Sequence, residues 1–187
     1  MQTDADITLI ASCQQGDARA FREVFDHYKD RIFALCRHMA GNREDAEDLT
    51  QEAFVSAFKN ISSFRAESSF GTWLYRIATN HCLSKLRRQT PRTHSFEDLS
   101  ERDAAPPAGG PSPEEMVVRK ELSRRMEAAI ADLPENLRVI FVLGTLEGMR
   151  YKEIAEIAAC SEEAVKMRIH RARKRIRSQI PPAEPEA

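Results

Sequence analysis

Long apolar runs are missing from this chain of 187 residues. No stretch approaches the roughly 20 apolar residues that a transmembrane helix needs. The N-terminus begins Met-Gln-Thr-Asp-Ala-Asp and lacks the basic and then apolar pattern of a secretory signal. The two absences predict a cytoplasmic protein, and 42% hydrophobic with 30% charged residues is ordinary for a soluble globular chain.

Cysteine and histidine are scarce and scattered. The four cysteines lie far apart with no Cys-x-x-Cys pair, which argues against a disulfide framework and a zinc site. His81 and Cys82 are adjacent, but consecutive residues of a helix point in different directions. No spaced histidine pair, phosphate-binding loop or nucleophile elbow occurs. The sequence therefore predicts no metal site, no cofactor and no catalytic residue.

An excess of basic over acidic side chains occurs in two short segments, although the net charge of the chain is −1. Residues 61–92 hold six basic and one acidic side chains, and residues 161–178 hold seven and two. Each segment therefore carries +5 on a near-neutral chain. Two compact basic segments predict two separate contacts with a polyanion.

Prolines and glycines concentrate in residues 91–113, which end in Pro-Pro-Ala-Gly-Gly-Pro-Ser-Pro. Such a stretch buries little and predicts an exposed, flexible linker between residues 1–90 and 114–187. Apolar residues recur at steps of three and four in both halves, and no strand-like alternation competes with them. The fold class expected is all-α, with two small helical domains, the first a bundle of about four helices.

Local signals place the helix starts. Ser68 or Ser69 is a suitable N-cap for the last helix of the first half. Ser112-Pro113-Glu114-Glu115 is a capping box with proline at the first helical position, and it opens the second half. Pro134 starts the next helix. Two short amphipathic helices, 151–159 and 162–180, follow and are joined by Cys160-Ser161.

These last two helices have the spacing of a helix-turn-helix, with Ser161 as the N-cap of the second. On that second helix an apolar stripe of Val165, Ile169, Ala172 and Ile176 should face the core. The N-terminal part of a recognition helix meets base edges, and the rest follows phosphates. A basic, solvated helix end is the alternative. The base-edge candidates are Lys166, Met167, His170 and Arg171; the phosphate candidates are Arg173, Lys174, Arg175 and Arg177, and Arg168 lies on a flank.

The first basic segment interleaves aromatic with basic side chains between Phe64 and Arg88. Exposed rings stack on unpaired bases while cations hold the backbone, so the pattern suits single-stranded nucleic acid. The aromatic residues could equally be core, and Trp73 is expected to be mostly packed. Asn80, with both donor and acceptor groups, is the better candidate for reading a base edge. Residues 43–54 carry five carboxylates, which alone suggest a solvated helix face.

The order of these motifs resembles the extracytoplasmic-function sigma factors of the sigma-70 family. Asp-Ala-Glu-Asp-Leu-Thr-Gln-Glu-Ala-Phe comes first, then Thr-Trp-Leu-Tyr-Arg-Ile-Ala-x-Asn, the linker, Leu-Pro-Glu-Asn-Leu-Arg and the basic helix-turn-helix. The resemblance runs from about Leu9 to Ile180. It implies that residues 1–90 form sigma region 2, residues 91–113 the linker and residues 114–187 sigma region 4. Region 1.1 and a structured region 3 have no counterpart here.

The resemblance implies a subunit that carries core RNA polymerase to promoter DNA, with three sets of contact residues. The set for the clamp helices of the largest polymerase subunit is Asp45, Asp48, Leu49, Gln51, Glu52 and Phe54. The set for the melted −10 element is Phe64, Arg65, Ser68, Ser69, Trp73, Arg76, Asn80, Lys85, Arg87 and Arg88. The set for the −35 element is Ser161, Lys166, Met167, Arg168, His170, Arg171, Arg173, Lys174, Arg175 and Arg177.

The family also implies a stress or envelope response and control by an anti-sigma factor, which could hold the protein at the inner membrane. A stand-alone helix-turn-helix regulator with an N-terminal sensor domain is the alternative. It leaves the aromatic and basic segment without a role, and nothing in the sequence marks a sensor pocket. An enzyme is a weaker alternative, because no catalytic motif is present.

Overall fold

Eight α-helices make up the computed structural model, which describes residues 4–88 and 113–180, and these ranges contain no strand. The described ranges leave out the predicted linker except Pro113, together with Ser112 of the predicted capping box. Among the described helices, none has the length and apolar character needed to cross a membrane. The helices are α1 (Asp4–Gln14), α2 (Ala18–Ala40), α3 (Arg43–Lys59), α4 (Phe70–Arg88), α5 (Pro113–Ala131), α6 (Glu135–Phe141), α7 (Tyr151–Ile157) and α8 (Glu162–Gln179).

The turn between α2 and α3 brings these two helices against each other. Gly41 lies at φ 82°, a left-handed conformation that suits glycine, and its N–H donates to the carbonyl of Arg37. Asn42 then caps α3, because its side chain accepts from the N–H of Asp45 at 2.8 Å. The two caps reverse the chain within two residues, so that α3 packs antiparallel to α2 and buries Leu35 and Ala53.

The start of α4 confirms one of the two predicted caps. The Ser69 hydroxyl accepts from the N–H of Thr72 at 3.1 Å. The loop before it is held from α1, since Gln14 Nε2 donates to the carbonyls of Ile61 at 3.1 Å and Phe64 at 3.0 Å. With α1 to α4 in place, the N-terminal unit is the four-helix bundle that the sequence predicts.

The C-terminal unit is built around α8. A π-helical turn, Val142–Leu146, extends α6 and brings Gly144 against the helix-turn-helix. A Cβ at Gly144 would lie 2.8 Å from Ile169 Cδ1 and 3.1 Å from Ile154 Cδ1, so a side chain there would force both isoleucines to move. In contrast, α5 packs through its C-terminal end: Ile130 is buried, whereas Val117 is exposed.

Candidate nucleic-acid interfaces

The recognition helix α8 has the two faces that its periodicity predicts. Its apolar stripe is fully buried and includes Val165 and Ile169. The Ser161 hydroxyl accepts from the N–H of Ala164 at 3.2 Å, which confirms the predicted N-cap. Ala159 in the preceding turn lies at φ 48°. The predicted DNA-contacting side chains Lys166, Met167, His170, Arg171, Arg173, Lys174, Arg175 and Arg177 are exposed, and Arg168 is half-buried.

Arg175 has a partner within the protein. Its Nη2 lies 3.2 Å from Asp132 Oδ2, and Gln179 Nε2 donates to the same oxygen at 2.7 Å. The hydrogen bonds from Gln179 and Arg175 hold the pKa of Asp132 below its usual range. Arg175 therefore joins α8 to the turn between α5 and α6, and its expected contact with a phosphate stays a prediction. Arg177 remains exposed.

Two of the predicted −10 residues are part of a buried aromatic cluster. The ring centroids of Phe64, Phe70 and Trp73 lie 5.4 to 5.6 Å apart. Phe64 and Trp73 are each 8% exposed. Trp73 is therefore packed, as expected. Direct stacking of a base on either ring does not fit this conformation, so both are reassigned to supporting the loop that follows Phe64.

The loop above this cluster presents three more of the −10 candidates. Arg65 is exposed, and Ser68 and Ser69 are partly exposed. Ala66 lies at φ 56°, which costs a non-glycine residue on the order of 1–3 kcal/mol. Such strain concentrates at binding sites, and no local sequence signal announces it. Farther along α4, the −10 candidates that point to solvent are Arg76, Asn80, Arg87 and Arg88.

The two apolar residues of the acidic helix α3 that were expected to contact the polymerase are buried in the structure. Leu49 and Phe54 are 2% and 3% exposed, and the Phe54 ring packs 4.8 Å from that of Phe25. Neither can contact a partner directly, so their predicted role as anchors is corrected. The apolar residue on the outer face is Val55, which sequence reasoning missed. It shares that face with Asp48, Gln51 and Glu52, all exposed.

Comparisons with known proteins agree with the order of these surfaces along the chain. A family model for sigma-70 region 2 matches residues 24–92, and one for sigma-70 region 4 matches residues 123–176. The ECF RNA polymerase sigma factor SigW of Bacillus subtilis is 38% identical over 176 residues, which cover 91% of this chain and 94% of the relative. The chain belongs to the ECF sigma factors.

Other relatives of this sigma factor cover it equally well. The ECF RNA polymerase sigma-E factor of Haemophilus influenzae is 38% identical over 183 residues, 95% of this chain and 96% of its own. Among solved structures, CnrH in complex with the cytosolic domain of CnrY has a TM-score of 0.69 at 23% identity, with 94% of this chain and 96% of that chain covered. That structural likeness concerns the fold. Family membership removes the sensor-domain regulator as a description of the N-terminal half.

Two sets of polar contacts in region 2 of the sigma factor join its acidic helix α3 to α4, which carries most of the predicted −10 residues. Lys85 Nζ lies 2.5 Å from Asp45 Oδ1, and Asn42 Nδ2 donates to the other carboxylate oxygen at 2.9 Å. His81 Nε2 lies 3.1 Å from Ser56 Oγ, and its Nδ1 lies 3.4 Å from Glu52 Oε2. Asp45 and Lys85 thus have internal partners in addition to the external ones predicted for them. Pairs between helices leave no trace in local sequence pattern, which is why they were missed.

Proposed function

We propose that this sigma factor binds core RNA polymerase through α3, recognises −10 and −35 promoter elements through α4 and α8, and directs transcription initiation. It has no catalytic residue of its own in this proposal, and it acts in the cytoplasm because that is where core polymerase meets promoter DNA. The observation that carries the proposal is the exposed basic face of α8, set on a fully buried apolar stripe.

The −35 element is the proposed target of α8. An α-helix fits the major groove of B-DNA, and its N-terminal residues reach base edges. Lys166 is exposed in the N-terminal half of α8 and Arg171 is exposed near its middle, so each can pair with a base. Met167 and His170 lie beside them and are proposed to tune the promoter preference. Arg177 lies nearer the end of the helix and is proposed to hold a phosphate.

The melted −10 element is the proposed target of the loop at Arg65 and of α4. A base that leaves the stack has to be captured by polar groups, and exposed Asn80 can both donate and accept. Ser68 and Ser69 lie in the loop that Gln14 holds in place. Arg87 and Arg88 are proposed to follow the backbone of the single strand, because unpaired DNA is bound through a positively charged groove.

The outer face of α3 is the proposed contact with the clamp helices of the largest polymerase subunit. Asp48 and Glu52 supply negative charge for a basic partner, and Val55 supplies apolar area among them. An anti-sigma factor is the proposed regulator. The sigma factor RpoE of Bartonella quintana, for instance, was solved in complex with the anti-sigma factor NepR.

Run-off transcription tests the proposal. Purified core RNA polymerase is mixed with the full-length chain and a library of promoter fragments, and transcripts are sequenced. Core alone is the first control, and core with an Arg171→Ala variant is the second. We expect a subset of fragments with shared −10 and −35 elements to give transcripts only when the chain is added. Core polymerase that neither binds the chain nor gains promoter selectivity would refute the proposal.

A further inference from the structure

Two cysteines from different helices meet in the hydrophobic core of region 2. Cys36 of α2 and Cys82 of α4 are 46 positions apart in the sequence, and both are fully buried. Their sulfur atoms lie 3.8 Å apart, and the thiol of Cys82 donates to the sulfur of Cys36. Cys13 on α1 and Cys160 in the turn of the helix-turn-helix complete the four free thiols. The fold therefore assembles a dithiol, Cys36 with Cys82, that the spacing of the cysteines along the chain does not reveal.

The hydrogen bond makes the two thiols of this dithiol chemically unequal. The S–H of Cys82 stabilises negative charge on the other sulfur and lowers the pKa of Cys36. The same hydrogen bond, and then burial, raise the pKa of Cys82, which keeps its proton. By contrast, burial and then the carboxylates of Asp17 and Glu23 raise the pKa of Cys13. Because the thiolate is the nucleophile in cysteine chemistry, Cys36 is the member of the dithiol suited to attack an oxidant.

The dithiol lies near one end of the four-helix bundle. Cys36 is four residues before Ala40, the last residue of α2, and Cys82 is six residues before Arg88, the last residue of α4. The ends of helices open locally at a lower free energy than the centre of a core. A small oxidant can therefore reach the two sulfur atoms, although they are covered in the closed bundle.

We propose that Cys36 and Cys82 form an oxidation site for hydrogen peroxide, and that the resulting disulfide lowers the affinity of α4 for the −10 element. The Cys36 thiolate attacks one peroxide oxygen, the O–O bond breaks, and the departing hydroxide takes up the proton that Cys36 released. The sulfenic acid on Cys36 then reacts with the Cys82 thiol, so that the S–S bond forms and a second water leaves. The two thiols lose two electrons, and hydrogen peroxide accepts them.

The disulfide changes the position of α4 and of the side chains on its outer surface. Sulfur atoms that lie 3.8 Å apart have to approach to about 2.05 Å, and a close-packed core has little empty space to absorb the change. Asn80 and Lys85 lie within one turn of Cys82 and move with it. Since binding groups have to be held to about 0.5 Å, we expect a loss of −10 affinity. This effect rests on the proposed function, because −10 binding by α4 is itself a proposal.

The test uses the full chain and two variants. Cys13→Ala with Cys160→Ala leaves only the dithiol, whereas Cys82→Ala removes one of its members with little change in volume. Each protein is treated with hydrogen peroxide, the remaining thiols are blocked with N-ethylmaleimide, and digested peptides are identified by mass spectrometry. Fluorescence anisotropy measures the affinity for a single-stranded −10 oligonucleotide before oxidation, after oxidation and after reduction with dithiothreitol, which reverses the step by thiol–disulfide exchange. Circular dichroism reports folding.

We expect the parent and the Cys13→Ala, Cys160→Ala variant to yield a linked Cys36–Cys82 peptide and to lose −10 affinity at least about fivefold, with recovery on reduction. Cys82→Ala should keep its affinity, and a loss equal to that of the parent would show that the disulfide is not the cause.

Four free thiols in the treated parent, or a linkage other than that of Cys36 with Cys82, would overturn the oxidation site, and the parent alone decides this if Cys82→Ala does not fold. A linked peptide with unchanged affinity would overturn the effect on −10 binding. If the proposed function were wrong, the reduced parent would not bind the oligonucleotide, while the linked peptide would still form.

Discussion

Lys85 and Asp45 neutralise each other across the interface of α3 and α4, with Nζ and Oδ1 2.5 Å apart and side chains 29% and 24% exposed. The family resemblance assigns Asp45 to the polymerase and Lys85 to DNA, so the pair links the two proposed binding surfaces of region 2. The carboxylate of Asp45 is held in place by Asn42, the N-cap of α3. We therefore expect the availability of Lys85 to DNA to depend on Asp45.

The effect of Asp45 on Lys85 can be tested by measuring how the affinity for a single-stranded −10 oligonucleotide changes with salt concentration. Each phosphate contact contributes about 0.7 to the slope of log affinity against log salt for a single strand. We expect Arg88→Met to lower the slope by about that amount and Lys85→Met to lower it by less. In an Asp45→Asn background, Lys85→Met should lower it as much as Arg88→Met does. Equal slopes for Lys85→Met in both backgrounds would show that Asp45 does not restrain the lysine.

Polymerase binding should depend on the outer face of α3. Asp48→Lys with Glu52→Lys reverses two exposed charges, and like charges across an interface cost several kcal/mol. We expect core affinity, measured by fluorescence anisotropy, to fall at least about tenfold. Glu23→Lys with Asp30→Lys on α2 makes the same charge change at exposed positions and serves as the control. Helicity should be unchanged in both; full core binding by the α3 variant would remove the assignment.

Substitutions of Leu49 and Val55, two apolar residues of α3, should affect stability and core binding differently. Leu49→Ala leaves a cavity in the core and should cost about 2–5 kcal/mol of unfolding free energy. Val55→Asn changes an exposed side chain and should alter stability by no more than about 0.5 kcal/mol. Core affinity should show the opposite order, with a loss for Val55→Asn and parental affinity for the folded fraction of Leu49→Ala. Urea denaturation measures the unfolding free energy, and fluorescence anisotropy measures core affinity on the same samples. Equal losses of core affinity in the two variants would contradict a direct contact of Val55 with the polymerase.

Base capture should depend on Asn80 separately from duplex binding. We expect Asn80→Ala to weaken binding to a single-stranded −10 oligonucleotide by about 1–3 kcal/mol, because contacts to one captured base are lost. Binding to a −35 duplex should change little, since Asn80 lies on α4 and α8 is the proposed reader of the duplex. Both probes are titrated with the full chain under the same salt. An equal loss on both would indicate a folding defect and contradict the assignment.

The spacing of apolar residues and the capping residues predicted where the helices lie. They did not predict which side chains of different helices contact each other. The stripe that includes Ile169, and the cap at Ser161, follow from spacing and from one hydroxyl, both of which are local. Leu49 lies in an acidic helix to which the family resemblance assigns a binding face, yet packing on α2 determines which way its side chain points, and it is buried. Gly144 gives no signal either, because the need for glycine comes from Ile169, which is 25 positions away in the chain. Partners distant in sequence decide these details.

The last prediction concerns α8, where the two roles of positive charge can be separated. Arg171 is exposed near the middle of the helix, and a good bidentate pair with a base discriminates by about 1–3 kcal/mol. Arg171→Ala should therefore relax the preference at one −35 position. Arg177 comes six residues later, where we expect the helix to reach phosphates and not base edges. Arg177→Ala should weaken all sequences alike and lower the salt slope by about one unit.

Arg175 provides the matched control, since it has the same side chain as Arg177 but is paired with Asp132. Arg175→Ala should lower the salt slope by less than Arg177→Ala, because an arginine already held by a carboxylate releases fewer counterions on binding. The three variants are titrated by fluorescence anisotropy against duplexes with each −35 position changed in turn, at several salt concentrations. If Arg171→Ala and Arg177→Ala both lose affinity uniformly while the base preference stays intact, α8 holds phosphates through both residues, and base reading would have to come from Lys166 or His170.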